Sequence, residues 1–120
     1  MVQSLKTARQ FNYVYKKGVK KHHGVFMLYC LPLEPSHEKF LGMHGLLLGL
    51  SVSKKVGKAV QRNLIKRRVR AIFQRLPLPC PQAVIFVAKI GIEQLDYATL
   101  RAHILQCLAQ KKRAHVKVAR

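Results

Sequence analysis

Two strand-length apolar segments, residues 46–53 (LLLGLSVS) and 83–88 (AVIFVA), bracket a stretch whose apolar residues recur with helical period. At 100° per residue, Ile65, Val69, Ile72, Phe73 and Leu76 fall on one stripe, which predicts a helix over 58–76 with that stripe facing a core. Pro77 and Pro79 then stop it, because proline restricts the residue before it and cannot continue the hydrogen-bond ladder. A strand, a helix and a second strand in succession suit a parallel crossover, since parallel neighbours need a connection about that long. This unit limits the chain to folds that mix sheet and helix.

The remaining segments extend the pattern. Phe11, Val14 and Tyr15 stand at i, i+3, i+4 within 5–17, predicting a first helix that Gly18 ends. Residues 24–31 (GVFMLYCL) are aromatic and branched enough for a strand. Pro32, Pro35, Gly42 and Gly45 punctuate a loop that carries Glu34 and Glu38. Asp96 has the chemistry of an N-cap, with Leu95 and Leu100 spaced as a hydrophobic staple. Tyr97, Leu100, Ile104 and Leu108 line one face of the last helix, and a basic tail over 111–120 follows. The reading is α+β: a small two-layer sandwich with helices over a short sheet. A chain of 120 residues makes one domain, 1–120.

Charge supplies the functional signal. Lys and Arg number 23 against 4 acids, for a net charge of +19. Nine basic residues lie between positions 54 and 75, and no acid occurs between Glu38 and Glu93. Solvated helices ordinarily intersperse acids, which gain i, i+4 pairs and relieve repulsion. An uncompensated row of cations implies a polyanionic neighbour, with a nucleic-acid backbone first and an anionic membrane second. No apolar run reaches the length of a span, and the N-terminus lacks the apolar core of a signal peptide, so the expectation is a cytoplasmic protein with no membrane association. Cys30, Cys80 and Cys107 are too scattered for a disulfide framework and read as reduced, buried thiols. The pair His22–His23 has no second ligand pair at metal-site spacing, so no metal bound by the protein is expected.

Lys54, Lys55 and Lys58 precede or open the helix, where free backbone N–H groups favour anions. Arg62, Asn63, Lys66, Arg67 and Arg70 follow on it. Guanidinium forks match phosphate oxygens, and an amide can both donate and accept at sugar or base edges. These eight residues form the candidate nucleic-acid-binding set. Unpaired bases would need aromatic platforms beside such a surface. Phe11, Tyr15, Phe26 and Tyr29 are the candidates, but the strand alternation puts Phe26 on the face opposite Tyr29, which favours Tyr29 with Phe11.

The segment GLSVSKKVGKAVQRNLIKRRVR resembles the RNR signature of the bacterial ribonuclease P protein component family. The matching residues are Gly49 through Lys55, Gly57, Ala59, Val60, Arg62, Asn63, Lys66, Arg67, Arg70 and Phe73. The resemblance runs almost end to end. Phe11, Val14, Tyr15 and Gly18 look like its N-terminal pattern, Phe26, Leu28 and Tyr29 like a strand motif, and VIFVAK with QLDYATLR like its last strand and helix. Leu64 departs from it, standing where the family has the second Arg of the signature, and Ala71 replaces a common acid or amide. The resemblance implies an αβββαβα order, a four-stranded sheet and a left-handed crossover. It further implies a protein, monomeric outside its complex, that joins the catalytic RNA of ribonuclease P and supports 5′-end processing of precursor tRNA. Mg²⁺ is expected in the assembled ribonucleoprotein, and the 5′ leader is expected in a cleft lined by Phe11, Tyr15 and Tyr29.

Residue chemistry fits that division of labour, since a protein nuclease gathers several carboxylates around its cations. This chain holds only Glu34, Glu38, Glu93 and Asp96, and no nucleophile–base spacing, so no catalytic side chain is expected. An alternative from another class is a ribosomal or ribosome-assembly protein that binds RNA without a part in cleavage. Either way, anions that bind the folded cationic cluster should stabilise it. The melting temperature should therefore rise with added phosphate or sulfate, and rise more than with chloride at equal ionic strength. Indifference to phosphate would mean that folding does not assemble the cluster.

Overall fold

The computed structural model describes residues 2–33, 46–76 and 82–109. In chain order the elements are β1 (Val2–Ser4), α1 (Ala8–Lys17), β2 (Val19–His22), β3 (Phe26–Pro32), β4 (Leu46–Ser51), α2 (Ala59–Arg75), β5 (Gln82–Ala88) and α3 (Tyr97–Leu108), with a 3-10 turn at Ile92–Gln94 before α3. The strands form one sheet in the order β1-β4-β5-β3-β2. β1 and β5 both run parallel to β4, while β3 runs antiparallel to β5 and to β2. The segments at 46–53 and 83–88 are thus parallel neighbours connected through the basic helix. Pro32, expected in the loop, instead ends β3 opposite Gln82, while Pro35, Gly42, Gly45, Glu34 and Glu38, Pro77 and Pro79, Cys80, and the 111–120 tail lie outside the described residues.

The sheet has five strands, where four were expected. The chain opens with β1, whose three residues pair with Leu46–Leu48, and α1 begins only at Ala8. The start of α1 is set by a capping box: the Gln10 backbone N–H donates to Thr7 Oγ1, and Gln10 Oε1 accepts from the Thr7 N–H. β2 (VKKH) has too little apolar character to announce itself as a strand. It lies at the sheet edge, where lysines also discourage pairing with other chains.

Both faces of the sheet are covered. On one, Phe26, Leu28, Cys30, Leu46, Leu48, Val84 and Phe86 pack with Ile65, Val69, Ile72 and Phe73 of α2 and Leu100, Ile104 and Cys107 of α3. On the other, Leu31, Leu47, Ala83 and Ile85 meet Val14 of α1, with Leu5 and Leu33. Central β5 is therefore buried on both sides, which explains its unbroken apolar run. Asp96 caps α3 as expected, its carboxylate accepting from the Thr99 N–H at 2.8 Å, a bond that holds its carboxyl below the ordinary range. Cys30 and Cys107 are buried free thiols, and burial pushes Cys30 up to about 11, far from a reactive thiolate.

The α2 stripe is where the helix is held. Ile65, Val69, Ile72, Phe73 and Leu76 are all buried, whereas Asn63, Arg67, Arg70 and Gln74 are exposed. Phe73→Ala should cost about 3–5 kcal/mol through the cavity it leaves. Gln74→Ala, one residue on, should stay within about 0.5 kcal/mol. Urea denaturation of the two variants measures both, and equal losses would mean that the stripe is misplaced.

Candidate nucleic-acid interface

The cationic surface begins where β4 leaves the sheet. After Ser51 the chain turns: the Val56 N–H donates to the Ser53 carbonyl at 3.1 Å, and the Lys55 N–H donates to Ser53 Oγ at 3.3 Å. Val56 is buried in the core and anchors this turn, so Lys54 and Lys55 on its outer side are exposed. Lys58 is the N-cap of α2 and provides no side-chain cap, and no acid stands in the first turn. The opening N–H groups of α2 thus have no side-chain cap and follow three lysines, a combination suited to anions.

Along α2, Asn63, Arg67 and Arg70 share one side of the helix, with Lys66 between it and the buried stripe. Lys58, Asn63, Arg67 and Arg70 are exposed, and Arg62 and Lys66 are half-buried at the margin of the packed stripe. Among the described residues none of these cations makes an ion pair. The two described carboxylates serve the backbone instead, Glu93 accepting from the Gly91 N–H and Asp96 from the Thr99 N–H. Arg62 Nε is buried with no hydrogen-bond partner among the described residues, a donor already stripped of solvent and lacking an acceptor. Arg68 behaves differently from its neighbours. Its Nη1 donates to the Leu95 carbonyl at 3.1 Å, tying α2 to the segment before α3, which makes it a structural arginine. Leu64 and Ala71 are both half-buried on the flank of the helix and belong to neither core cluster, while nearby Val60 is 82% exposed.

The aromatic candidates lie on the opposite face of the sheet, beside α1. Phe11, Tyr15 and Tyr29 are half-buried and consecutive: the Phe11 and Tyr15 ring centroids are 6.4 Å apart, and Tyr15 meets Tyr29 edge-on at 4.8 Å. Phe26 is fully buried on the α2–α3 face, as its alternation with Tyr29 requires. Gly49 admits the ring of Phe11, since a Cβ at that position would lie 2.7 Å from Phe11 Cε1. Sequence reasoning missed Lys20, whose Nζ sits 5.8 Å above the Tyr29 ring, a cation–π arrangement. Its place follows from the β2–β3 register, in which Lys20 pairs with Tyr29. The next row on that face, Met27, Val87 and Ser51, is half-buried and leads straight into the cationic turn.

Phe11 against Gly49 is the contact that sets the position of the aromatic row. Gly49→Ala should destabilise the fold by about 1–3 kcal/mol by overpacking. In the background of Phe11→Ala the same substitution should cost much less, a coupling that a double-mutant cycle in denaturant reads directly. Additive losses would show that Phe11 does not rest on Gly49.

The described residues gather no group of three or more His, Cys, Asp or Glu side chains that could hold a metal ion, and no helix among them is long and apolar enough to cross a membrane. The model of the Ribonuclease P family matches residues 2–112. The ribonuclease P protein component of Helicobacter acinonychis (strain Sheeba) is 45% identical over 119 residues, covering 91% of this chain and 78% of that protein. The corresponding component of a Nitratiruptor species is 36% identical over 116 residues, covering 93% and 94%. Among solved structures, the Staphylococcus aureus RNase P protein superposes with a TM-score of 0.74 at 25% identity over 98% of this chain and 97% of that one. The Thermotoga maritima RNase P protein does so at 0.70 and 26% identity, over 87% and 93%. A basic helix on one face, an aromatic row on the other and matches over nearly the whole length agree: the chain belongs to the ribonuclease P protein family.

Proposed function

We propose that this chain is the RNA-binding subunit of ribonuclease P, docking on the catalytic RNA and holding the 5′ leader of precursor tRNA. The observation that carries this reading is the cationic side of α2 and its preceding turn, without an ion pair among the described residues, in a chain of this family. Lys54, Lys55 and Lys58 meet phosphates near the helix N-terminus. Arg62, Lys66, Arg67 and Arg70 contact the backbone along the helix, and Asn63 adds an amide able to reach sugar or base edges. The orphan Nε of Arg62 gains its acceptor when a phosphate arrives, which favours the bound state over the free one.

The α1 face supplies the second contact. Phe11, Tyr15 and Tyr29 offer ring surface to unpaired bases, and stacking of this kind tolerates any base, as a leader of variable sequence demands. Lys20 over Tyr29 adds a cation beside the platform. The protein binds and orients, whereas strand cleavage belongs to the RNA. Mg²⁺ held by the RNA would supply the activated water and charge neutralisation of phosphodiester hydrolysis. The reading extends to a cytoplasmic protein that is monomeric until it joins its RNA.

Mixing the chain with ribonuclease P RNA and precursor tRNA at low Mg²⁺ tests this. Mature 5′ ends should appear faster than with RNA alone, and no acceleration would leave the alternative of an RNA-binding protein without a part in cleavage. Binding should weaken linearly in log salt, and Arg67→Ala should reduce that slope by about one unit. An unchanged slope would remove Arg67 from the interface.

A further inference from the structure

A second cluster of titratable groups lies where the C-terminal half of α3 rests on β2 and the turn into β3. Lys21 Nζ donates to the Leu108 carbonyl at 2.9 Å, and the Cys107 thiol points at the His22 carbonyl at 3.9 Å. His23, at the turn, lies flat on Phe26 with ring centroids 4.3 Å apart and planes 8° from parallel. Its Nδ1 accepts from the Val25 N–H at 3.3 Å, which requires that nitrogen to be unprotonated. The ring of His103, from α3, stands 4.6 Å from that of His23, and His103 Nδ1 is buried without a hydrogen-bond partner among the described residues.

Among the described residues the surroundings supply no counter-charge. His103 from α3 and Lys89 from the end of β5 are the charged groups that act on His23. Lys21 and His22 of β2 and the Cys107 thiol of α3 also lie at this junction among the described residues. Among the described residues no carboxylate acts on His23, because Glu93 and Asp96 are engaged at Gly91 and Thr99.

We propose that His23, packed against Phe26 and the ring of His103, is an acid-sensitive latch that docks the C-terminal half of α3 on the sheet while its ring is neutral and loosens it when that ring takes up a proton. Neutral, the His23 imidazole packs as a flat, weakly polar plate on Phe26. Protonated, the ring becomes a cation that Lys89 opposes, and His23 loses the lone pair that accepts from Val25. Ile104 and Cys107, buried beside His103 on α3, would feel the release first.

Burial, followed by His103 and Lys89, holds the His23 imidazole below its ordinary range. An unfolded histidine takes up its proton near pH ~6.5. Below that pH the unfolded chain binds more protons than the folded one, so the stability contribution is complete above about 6.5 and is lost as pH falls.

Thermal melts between pH 7.5 and 5.5 test the latch. The unmodified chain should lose roughly 3–6 °C more than His23→Phe, which keeps a ring against Phe26 but removes the proton site. Equal losses would overturn the proposal. Amide exchange of the unmodified chain, corrected for its intrinsic pH dependence, decides the matter even if that variant does not fold. Protection across Tyr97–Leu108 should fall at pH 5.5 while that of Ala59–Arg75 holds, and a parallel decline in the two helices would count against the latch.

Discussion

The architecture depends on burial of one stripe of α2 against the sheet. That helix carries a concentration of like charge that could not be held together by the charges themselves. Two exposed cations at 4 Å repel by about 1 kcal/mol in water, and the penalty grows as solvent is excluded. Each fully buried Ile, Val or Phe contributes roughly 1.5–3 kcal/mol, so Ile65, Val69, Ile72 and Phe73 together outweigh several such repulsions. The apolar side of the helix therefore enforces the cationic side. Val56 does the same for the turn that carries Lys54 and Lys55, anchoring backbone whose outer side chains would otherwise spread apart.

The sheet separates two chemistries. One face is closed by α2 and α3 over an extensive apolar core, and it exports charge outward through α2. The other is covered by α1 and left half-open beside it, with Phe11, Tyr15, Tyr29 and Lys20 along the margin. Because Ser51 ends the strand row on the open face and begins the path to the cationic turn, a single strand end connects the two. A nucleic-acid strand lying on the aromatic margin would have the lysines of the turn within the same continuous surface.

Legibility followed the strength of the local signal. The helix at 58–76 is visible because five apolar residues keep a helical period and prolines follow it, and the structure places it at Ala59–Arg75. The opposition of Phe26 and Tyr29 follows from strand alternation alone. β1 and β2 are not legible because one is three residues long and the other reads VKKH, and both owe their strand state to neighbours rather than to their own apolar content. The capping box Thr7–Gln10 is a readable sign of where α1 begins, and apolar spacing alone misses it. Arg68 resembles its basic neighbours in sequence, and only the position of the Leu95 carbonyl sets it apart.

By itself the sequence determined the α+β class, the amphipathic basic helix and the excess of cations without acids to answer them, since these are properties of composition and period. The tertiary structure decided which cations stay free, that Lys20 reaches Tyr29, that Gly49 receives the ring of Phe11, and that His23 meets the distant His103. Such pairings depend on strand order and register, which bring together residues far apart in sequence. No local pattern encodes them, because each is settled by how the whole core packs.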